Sequence, residues 1–142
     1  AALEKHKILF FFTPLIAAMA GNVGVQSSAI IVQGLANNNL RGSLWNRLLK
    51  EIGLSLANGI ILGLLVLGYG LFQDFDTTVN YVIACSLVIV IVIAALIGTF
   101  VPIILDKKGI DPALATGPFI TTSNDIFGIL IYFMIAKVML GF

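Results

Sequence analysis

The sequence predicts an all-α membrane protein, a bundle of four transmembrane helices in this chain. Of its 142 residues, 59% are hydrophobic and only 11% are charged, whereas soluble domains carry about 25% charged residues. The charges are confined to short segments, which leaves long apolar runs between them. These runs lack the alternation of apolar and polar residues that a transmembrane β-strand needs, so helices are the remaining way to cross lipid.

The same composition excludes several other classes of protein. A net charge of +1 without a basic stripe excludes a nucleic-acid-binding surface. The apolar content excludes a disordered chain, and the single cysteine, Cys85, excludes a disulfide scaffold. The chain also has only one histidine, His6. One cysteine and one histidine are too few for a thiolate or imidazole metal site within one chain, so such a site is excluded as well. The expected partner is the lipid bilayer, and no nucleic acid is expected.

Four stretches of the chain are long enough to form transmembrane helices. Residues 8–39, 52–73 and 77–105 contain no Asp, Glu, Lys or Arg, and residues 112–136 contain a single charged residue, Asp125. Crossing a bilayer as a helix takes about 20 residues. A cleaved signal peptide is a poor alternative for the first stretch, which is too long and too polar in its interior. The predicted spans lie at about 8–36, 52–73, 77–105 and 112–138.

The loops predict the orientation of these spans. Loop 37–51 is predicted to be an amphipathic connector, because leucines and Trp45 recur at helical spacing with arginines between them, and Trp45 is expected among the lipid headgroups. Loops 37–51 and 106–111 together carry five Lys and Arg residues, against three on the other side of the membrane. The positive-inside rule then places both loops in the cytoplasm and both ends of the chain outside the cell (inner) membrane.

Span one carries polar residues in its interior. Asn22 and Gln26 are four residues apart and share a helical face, with Ala18 one turn earlier. Gly21 allows a neighbouring backbone to approach closely, and Pro14 permits a bend. A rise of 1.5 Å per residue puts Asn22 about 21 Å into the span, near the middle of the membrane. Two interpretations stay open: amides that bridge helices, and groups that face a polar path.

Span four carries the only acidic residue within a predicted span. Asp111 followed by Pro112 is typical of a helix N-terminus, with the acid as N-cap and the proline as the first helical residue. Asp125 is then thirteen residues into the helix, about 20 Å along its axis and near the midplane. Thr121 lies one turn before it, and Gly117 extends the same stripe of small and oxygen-bearing residues.

Asp125 needs a partner, because an aspartate at the centre of a bilayer costs about 3 kcal/mol or more to insert. The sequence offers no Lys, Arg or His at its depth. Protonation or a structural hydrogen-bond network with Asn22 would satisfy the carboxyl group, and so would a cation. Carboxylate, amide, hydroxyl and carbonyl oxygens suit a hard cation such as Mg²⁺, which keeps several of its waters. Two copies of Asp125 at the axis of a two-fold dimer would balance the charge of a divalent ion.

Three functions are consistent with these residues. The first is channel-like transport of magnesium or another divalent cation through a dimeric pore. The second is a proton-coupled secondary transporter in which Asp125 carries the proton, and the third is a structural membrane subunit that transports nothing. An enzyme is not expected, because one Asp without His or Cys at its depth provides no acid–base pair.

Two stretches resemble a known family. Pro14 followed by Gly-Asn-Val-Gly-Val-Gln-Ser at 21–27 resembles the second membrane helix of the MgtE magnesium transporters. Asp-Pro-Ala-Leu-Ala at 111–115, Gly-Pro-Phe at 117–119 and Asp125 resemble their last membrane helix. The resemblance implies a homodimer with five membrane helices per subunit around a central magnesium path. This chain would supply helices two to five, with the first helix and an N-terminal cytoplasmic regulatory part lying outside it.

The resemblance also implies a metal site. Asp125 matches the acid that binds magnesium in the pore, and Thr121 matches the position one turn earlier, where members of the family often carry Ala. Asn22 matches a polar residue that faces the pore from the second helix, and Ala18 and Gly21 line the same bend. These five residues are the expected site for a magnesium ion that stays largely hydrated and is cargo of the protein.

Overall fold

The computed structural model describes residues 2–37 and 44–141, and over these residues the chain forms four long helices. They are α1 (Ala2–Ala36), α2 (Leu44–Phe72), α3 (Thr77–Lys107) and α4 (Pro118–Leu140), with a short 3-10 helix at Pro112–Ala115. All four long helices are long and apolar enough to cross a membrane. The prediction of an all-α bundle with four transmembrane helices is confirmed.

Helix α3 is the centre of the bundle. It packs against α1, α2, α4 and the 3-10 helix, and half of its most apolar window is buried. Its first turn is fixed by Asp76, whose side chain accepts hydrogen bonds from the backbone N–H of Thr78 at 3.0 Å and of Val79 at 3.3 Å. The Asp76 carboxylate also pairs with the Lys5 ammonium at 3.5 Å, which links the starts of α1 and α3.

Glycines allow the helices to pack closely. A Cβ placed on Gly59 would lie 3.1 Å from the α-carbon of Val88, so α2 packs on α3 through its Gly59 and Gly63 surface. A Cβ on Gly98 would overlap the backbone carbonyl of Gly24, and one on Gly24 would overlap the side-chain amide of Asn124. Helices α1, α3 and α4 therefore meet at Gly24, with Asn124 only 1% exposed between them.

The start of the fourth span differs from the prediction. Asp111 does act as an N-cap and accepts a hydrogen bond from the Ala113 N–H at 3.0 Å, but the helix that it begins is the four-residue 3-10 helix. Gly117 then adopts a φ of +60°, a left-handed conformation that suits glycine, and α4 begins at Pro118. Gly117 is therefore outside the helical stripe on which the sequence analysis placed it.

Helix α2 begins before the predicted second span, whose bounds stay a prediction. It starts at Leu44, so residues 44–51 are its first two turns and continue without a break into the segment that is apolar enough to cross a membrane, Leu49–Phe72. The rest of the predicted connector, residues 38–43, lies outside the described residues, as does the side chain of Trp45.

Candidate functional site

Helices α1 and α4 touch at the one acidic residue within α4. A Cβ placed on Gly21 would lie 2.8 Å from Oδ1 of Asp125 and 3.2 Å from Cγ2 of Thr121. Any side chain at position 21 would therefore displace the Asp125 carboxylate. Gly128, one turn after Asp125, makes the next contact, where an added Cβ would lie 3.0 Å from the Cβ of Ala20. Small residues on both helices thus bring the two backbones together around Asp125.

The position of Asp125 along its helix differs from the prediction. Because α4 begins at Pro118, Asp125 is seven residues from the start of the helix, about 10 Å along its axis, and not thirteen. On the facing helix, Gly21 is two residues past the midpoint of α1, which runs from Ala2 to Ala36. The carboxylate therefore lies opposite the middle of α1.

An open groove runs beside this contact. Its volume is about 670 Å³, and its lining is small and rich in oxygen: Asn22, Val25, Gln26, Gly117, Pro118, Thr121 and Thr122. Asn22, Gln26 and Thr122 are exposed, as is Ala18 one turn before Asn22. In a helix that crosses a membrane, such a face is expected to meet protein or water, since lipid cannot satisfy amide groups.

The groove lies where the fourth span is broken. Thr116 is extended and Gly117 is left-handed, so the backbone between the 3-10 helix and α4 is not helical. The Gly117 carbonyl accepts hydrogen bonds from both the N–H and the hydroxyl of Thr121, each at 3.0 Å. The Thr121 hydroxyl proton is therefore committed to the backbone, and Oγ1 keeps its lone pairs as an acceptor. Breaks of this kind in membrane helices recur where ions or substrates bind.

The charges near the groove leave Asp125 without a basic partner. Within the part of the chain that the structure describes, the ion pairs involve Asp76 and Glu51, with Lys5 and Arg47 as their partners. The same residues contain no cluster of three or more His, Cys, Asp or Glu side chains that would enclose a metal ion. A lone carboxylate with amide and hydroxyl oxygens beside it suits a hard cation that retains its own waters.

The predicted site residues fall into two groups in the structure. Gly21, Thr121 and Asp125 are in direct proximity across the α1–α4 contact, and Thr121 also lines the groove with Asn22. Ala18 is exposed one turn before Asn22. Gln26 and Thr122 also line the groove, although they are not among the five predicted site residues. The four-residue spacing from Asn22 was the available signal for Gln26.

Asn124 is a third polar residue near this contact that is not among the predicted site residues. It is buried between α1 and α4 against Gly24, and its amide nitrogen and oxygen make no hydrogen bond to the described residues. A buried amide without protein partners is typically satisfied by water. Asn124 precedes Asp125 in the sequence, but it is not among the residues that line the groove.

The fold and the groove define a multi-pass helical membrane protein with an oxygen-lined, non-helical break between two packed spans, an arrangement typical of membrane transport proteins. Comparison with known families is more specific. The family model for MgtE, described as a divalent cation transporter, matches residues 13–135, and the chain belongs to this family.

Three bacterial relatives agree with this assignment. The chain is 38% identical over 136 residues to the magnesium transporter MgtE of Bacillus subtilis. It is 35% identical over 141 residues to MgtE of Thermus thermophilus and 39% identical over 142 residues to MgtE of Enterococcus faecalis. These alignments cover 95% to 99% of this chain and only 30% to 31% of the relatives, so the chain spans about a third of their length.

Proposed function

We propose that this chain is the membrane domain of a magnesium transporter in which Mg²⁺ crosses through a dimeric pore lined by α1 and α4. The observation that carries the proposal is the packing of Asp125 against Gly21 beside the groove. Family membership supports magnesium as the cargo, since the relatives are named magnesium transporters. No enzymatic step is part of the proposal.

Asp125 is proposed to hold the ion through its water shell. Mg²⁺ sheds water reluctantly and is often bound through one or two carboxylates and several waters. The groove supplies further oxygens from Asn22, Thr121 and the backbone near Gly117. Ala18 and Gly21 have no polar side chain, so their role is to leave room for a hydrated ion. All five predicted site residues thus keep a role in this proposal.

A second copy of the chain is proposed to complete the pore. Ala18, Asn22 and Gln26 form an exposed face on α1, and exposed amides in a membrane span need protein or water against them. One carboxylate offers a single negative charge, whereas two copies at a two-fold axis would offer the two that Mg²⁺ requires. A homodimer therefore explains both the polar face and the charge.

The proposed orientation follows from the loop charges. Loops 37–51 and 106–111 lie in the cytoplasm of a cell (inner) membrane protein, and both ends of the chain lie outside. A membrane potential of 100 mV, negative inside, favours entry of a divalent ion by about 4.6 kcal/mol, twice the value for a single charge. Passive flow down this gradient therefore needs no coupled ion.

Reconstituted protein tests the proposal. Mg²⁺ uptake into proteoliposomes would be measured for the wild type, Asp125→Ala and Asp125→Asn, with Asp106→Asn as the matched control, since Asp106 is an exposed acid near the end of α3. We expect both Asp125 variants to lower the flux at least about tenfold, equivalent to 1.4 kcal/mol, and Asp106→Asn to leave it unchanged. Equal flux in the Asp125 variants would refute the role of this carboxylate.

The alternatives predict different results in the same vesicles. A proton-coupled transporter would need a pH gradient and would continue after the membrane potential is collapsed. A structural subunit would show no flux in the wild type, and Asp125→Asn would alter only its thermal stability. Flux that follows the membrane potential and ignores a pH gradient is the outcome that the proposed pore requires.

A further inference from the structure

An acidic residue other than Asp125 is buried in the bundle. Glu51 is the eighth residue of α2, which places it toward the end of the span that adjoins loop 37–51. It is only 6% exposed. A buried carboxylate is costly unless it is paired or hydrogen-bonded, so the groups around Glu51 decide what it does.

Only one of the two carboxylate oxygens of Glu51 accepts a hydrogen bond from the described residues. The Ser27 hydroxyl on α1 donates to its Oε2 at 3.1 Å, and the Ser55 hydroxyl donates to its backbone carbonyl at 2.6 Å. The remaining carboxylate oxygen, Oε1, faces the Arg47 guanidinium at 3.9 Å, which is longer than a hydrogen bond. The Arg47 side chain is 32% exposed and the Glu51 side chain 8%. Oε1 is therefore available to another positive group.

Glu51 opens into a cavity. Helices α1 and α2 each pack against α3, and the gap between them has a volume of about 200 Å³. A water molecule occupies about 30 Å³ in the liquid, so the cavity has room for several waters. Its polar lining comes from Glu51, Gln26, Ser27, Ser55 and Asn58, and its apolar lining from Val23, Ile30 and Leu54.

Gln26 borders both this cavity and the groove beside Asp125. It lines the Glu51 cavity together with Ser27, and it lines the groove together with Asn22 and Thr121. One amide side chain on α1 therefore borders both oxygen-lined spaces.

We propose that Glu51, Gln26 and Asn58 form a second binding site for a hydrated divalent cation, in series with Asp125 and nearer to loop 37–51. The inference rests on the proposed transport function and adds a step to it. Channels conduct when several sites bind an ion firmly enough to admit it and weakly enough to release it. A single carboxylate with neutral amides is a weak site of this kind. Arg47 competes with the ion for Oε1 and leaves it when the ion arrives.

Binding of Mn²⁺, a spectroscopic substitute for Mg²⁺, tests the site directly. The intact protein would be titrated in detergent and bound Mn²⁺ measured by electron paramagnetic resonance, for the wild type, Glu51→Gln, Asp125→Asn and the double variant. We expect each single variant to lose one of two classes of site and the double variant to lose both. Wild-type Mn²⁺ stoichiometry in Glu51→Gln would overturn the second site.

Arg47→Gln separates a cation site from a structural ion pair. If Arg47 competes with the ion, its removal tightens Mn²⁺ binding at Glu51 by about tenfold, equivalent to 1.4 kcal/mol. If the pair is only structural, Arg47→Gln leaves Mn²⁺ affinity unchanged, and the proposal fails. Asn58→Val, which touches neither hydrogen bond of Glu51, provides a second variant should Glu51→Gln fold poorly; unchanged Mn²⁺ affinity in Asn58→Val would also count against the site.

Flux measurements distinguish a failure of the second site from a failure of the proposed transport function. Loss of Mg²⁺ flux in Asp125→Asn together with a raised half-saturating Mg²⁺ concentration on the loop 37–51 side in Glu51→Gln supports both. Wild-type protein without flux would overturn the transport function. Normal flux in the wild type with an unchanged concentration dependence in Glu51→Gln would overturn only the second site.

Discussion

Asp125 and Gly21 form the contact on which the candidate site depends. The contact between them cannot be predicted from the sequence alone. The 3.6-residue repeat assigns each residue to a face of its own helix, but it does not give the axial position of one helix relative to the other. The sequence did identify the lone carboxylate and the small residues near it. Which glycine meets the acid is decided by how α1 and α4 are aligned along their axes. Gly21, and not Gly24, lies beside the carboxylate.

Replacement of Gly21 tests this contact. In Gly21→Ala the new methyl would lie 2.8 Å from Oδ1 of Asp125, so the carboxylate must shift away from its place beside the groove. We expect a several-fold loss of Mg²⁺ flux, measured in proteoliposomes, with a folded protein of normal elution. Gly53→Ala is the matched control, because no atom lies within 4 Å of its added Cβ, and it should keep full flux. Equal activity of the two variants would contradict the importance of the Gly21–Asp125 contact.

At the scale of elements, the charge-free runs predicted four helices because each run exceeds the thickness of a bilayer. The break before α4 was harder to predict. Asp111 and Pro112 satisfy the requirements of a helix start, and a 3-10 helix meets them as well as an α-helix does. The signal for the break was Gly117 before Pro118, since a proline disfavours the α conformation in the residue that precedes it. The sequence analysis gave more weight to the cap than to this dipeptide.

The start of α3 offers a prediction about pH. The backbone N–H of Val79 is the main cause of the lowered pKa of Asp76, with Lys5 and the N–H of Thr78 adding to it and desolvation opposing it. A group whose pKa is lower in the folded state stabilises the fold above its unfolded pKa, here 3.8, and loses that contribution as the pH falls through the folded value. Asp76→Ala should therefore unfold at a lower temperature than the wild type near neutral pH.

The difference in unfolding temperature between the wild type and Asp76→Ala should shrink as the pH is lowered below 3.8, because the wild-type carboxylate then becomes protonated. Thermal unfolding in detergent, followed by circular dichroism across this pH range, measures it. Asp74→Asn is the control, because Asp74 is an exposed neighbour that does not cap α3, and asparagine tolerates its positive φ of 56°. A constant difference at every pH would show that the cap acts without its charge.

At the scale of the whole molecule, the exposed surface is of two kinds, one apolar and one polar, and each suits a different neighbour. The most apolar windows of α2 and α4 are each only 22% buried within one chain, and α2 exposes large side chains such as Leu64, at 62%. This surface suits lipid tails. The α1 face with Ala18 and Asn22 carries amides and small residues, so it is the face that we expect a second copy to cover, with the two Asp125 carboxylates near the symmetry axis.

Cysteine cross-linking locates that interface. Cys85 is exposed, so it would first be replaced by Ser. Because a residue near a two-fold axis lies close to its own copy, Ala18→Cys and Asn22→Cys should form disulfide-linked dimers in membranes treated with a mild oxidant. Leu64→Cys, on the apolar face of α2, is the control and should stay monomeric on a non-reducing gel. Dimers from Leu64→Cys alone would place the subunit contact on α2 and leave Asp125 without a symmetric partner, which would contradict the two-carboxylate pore.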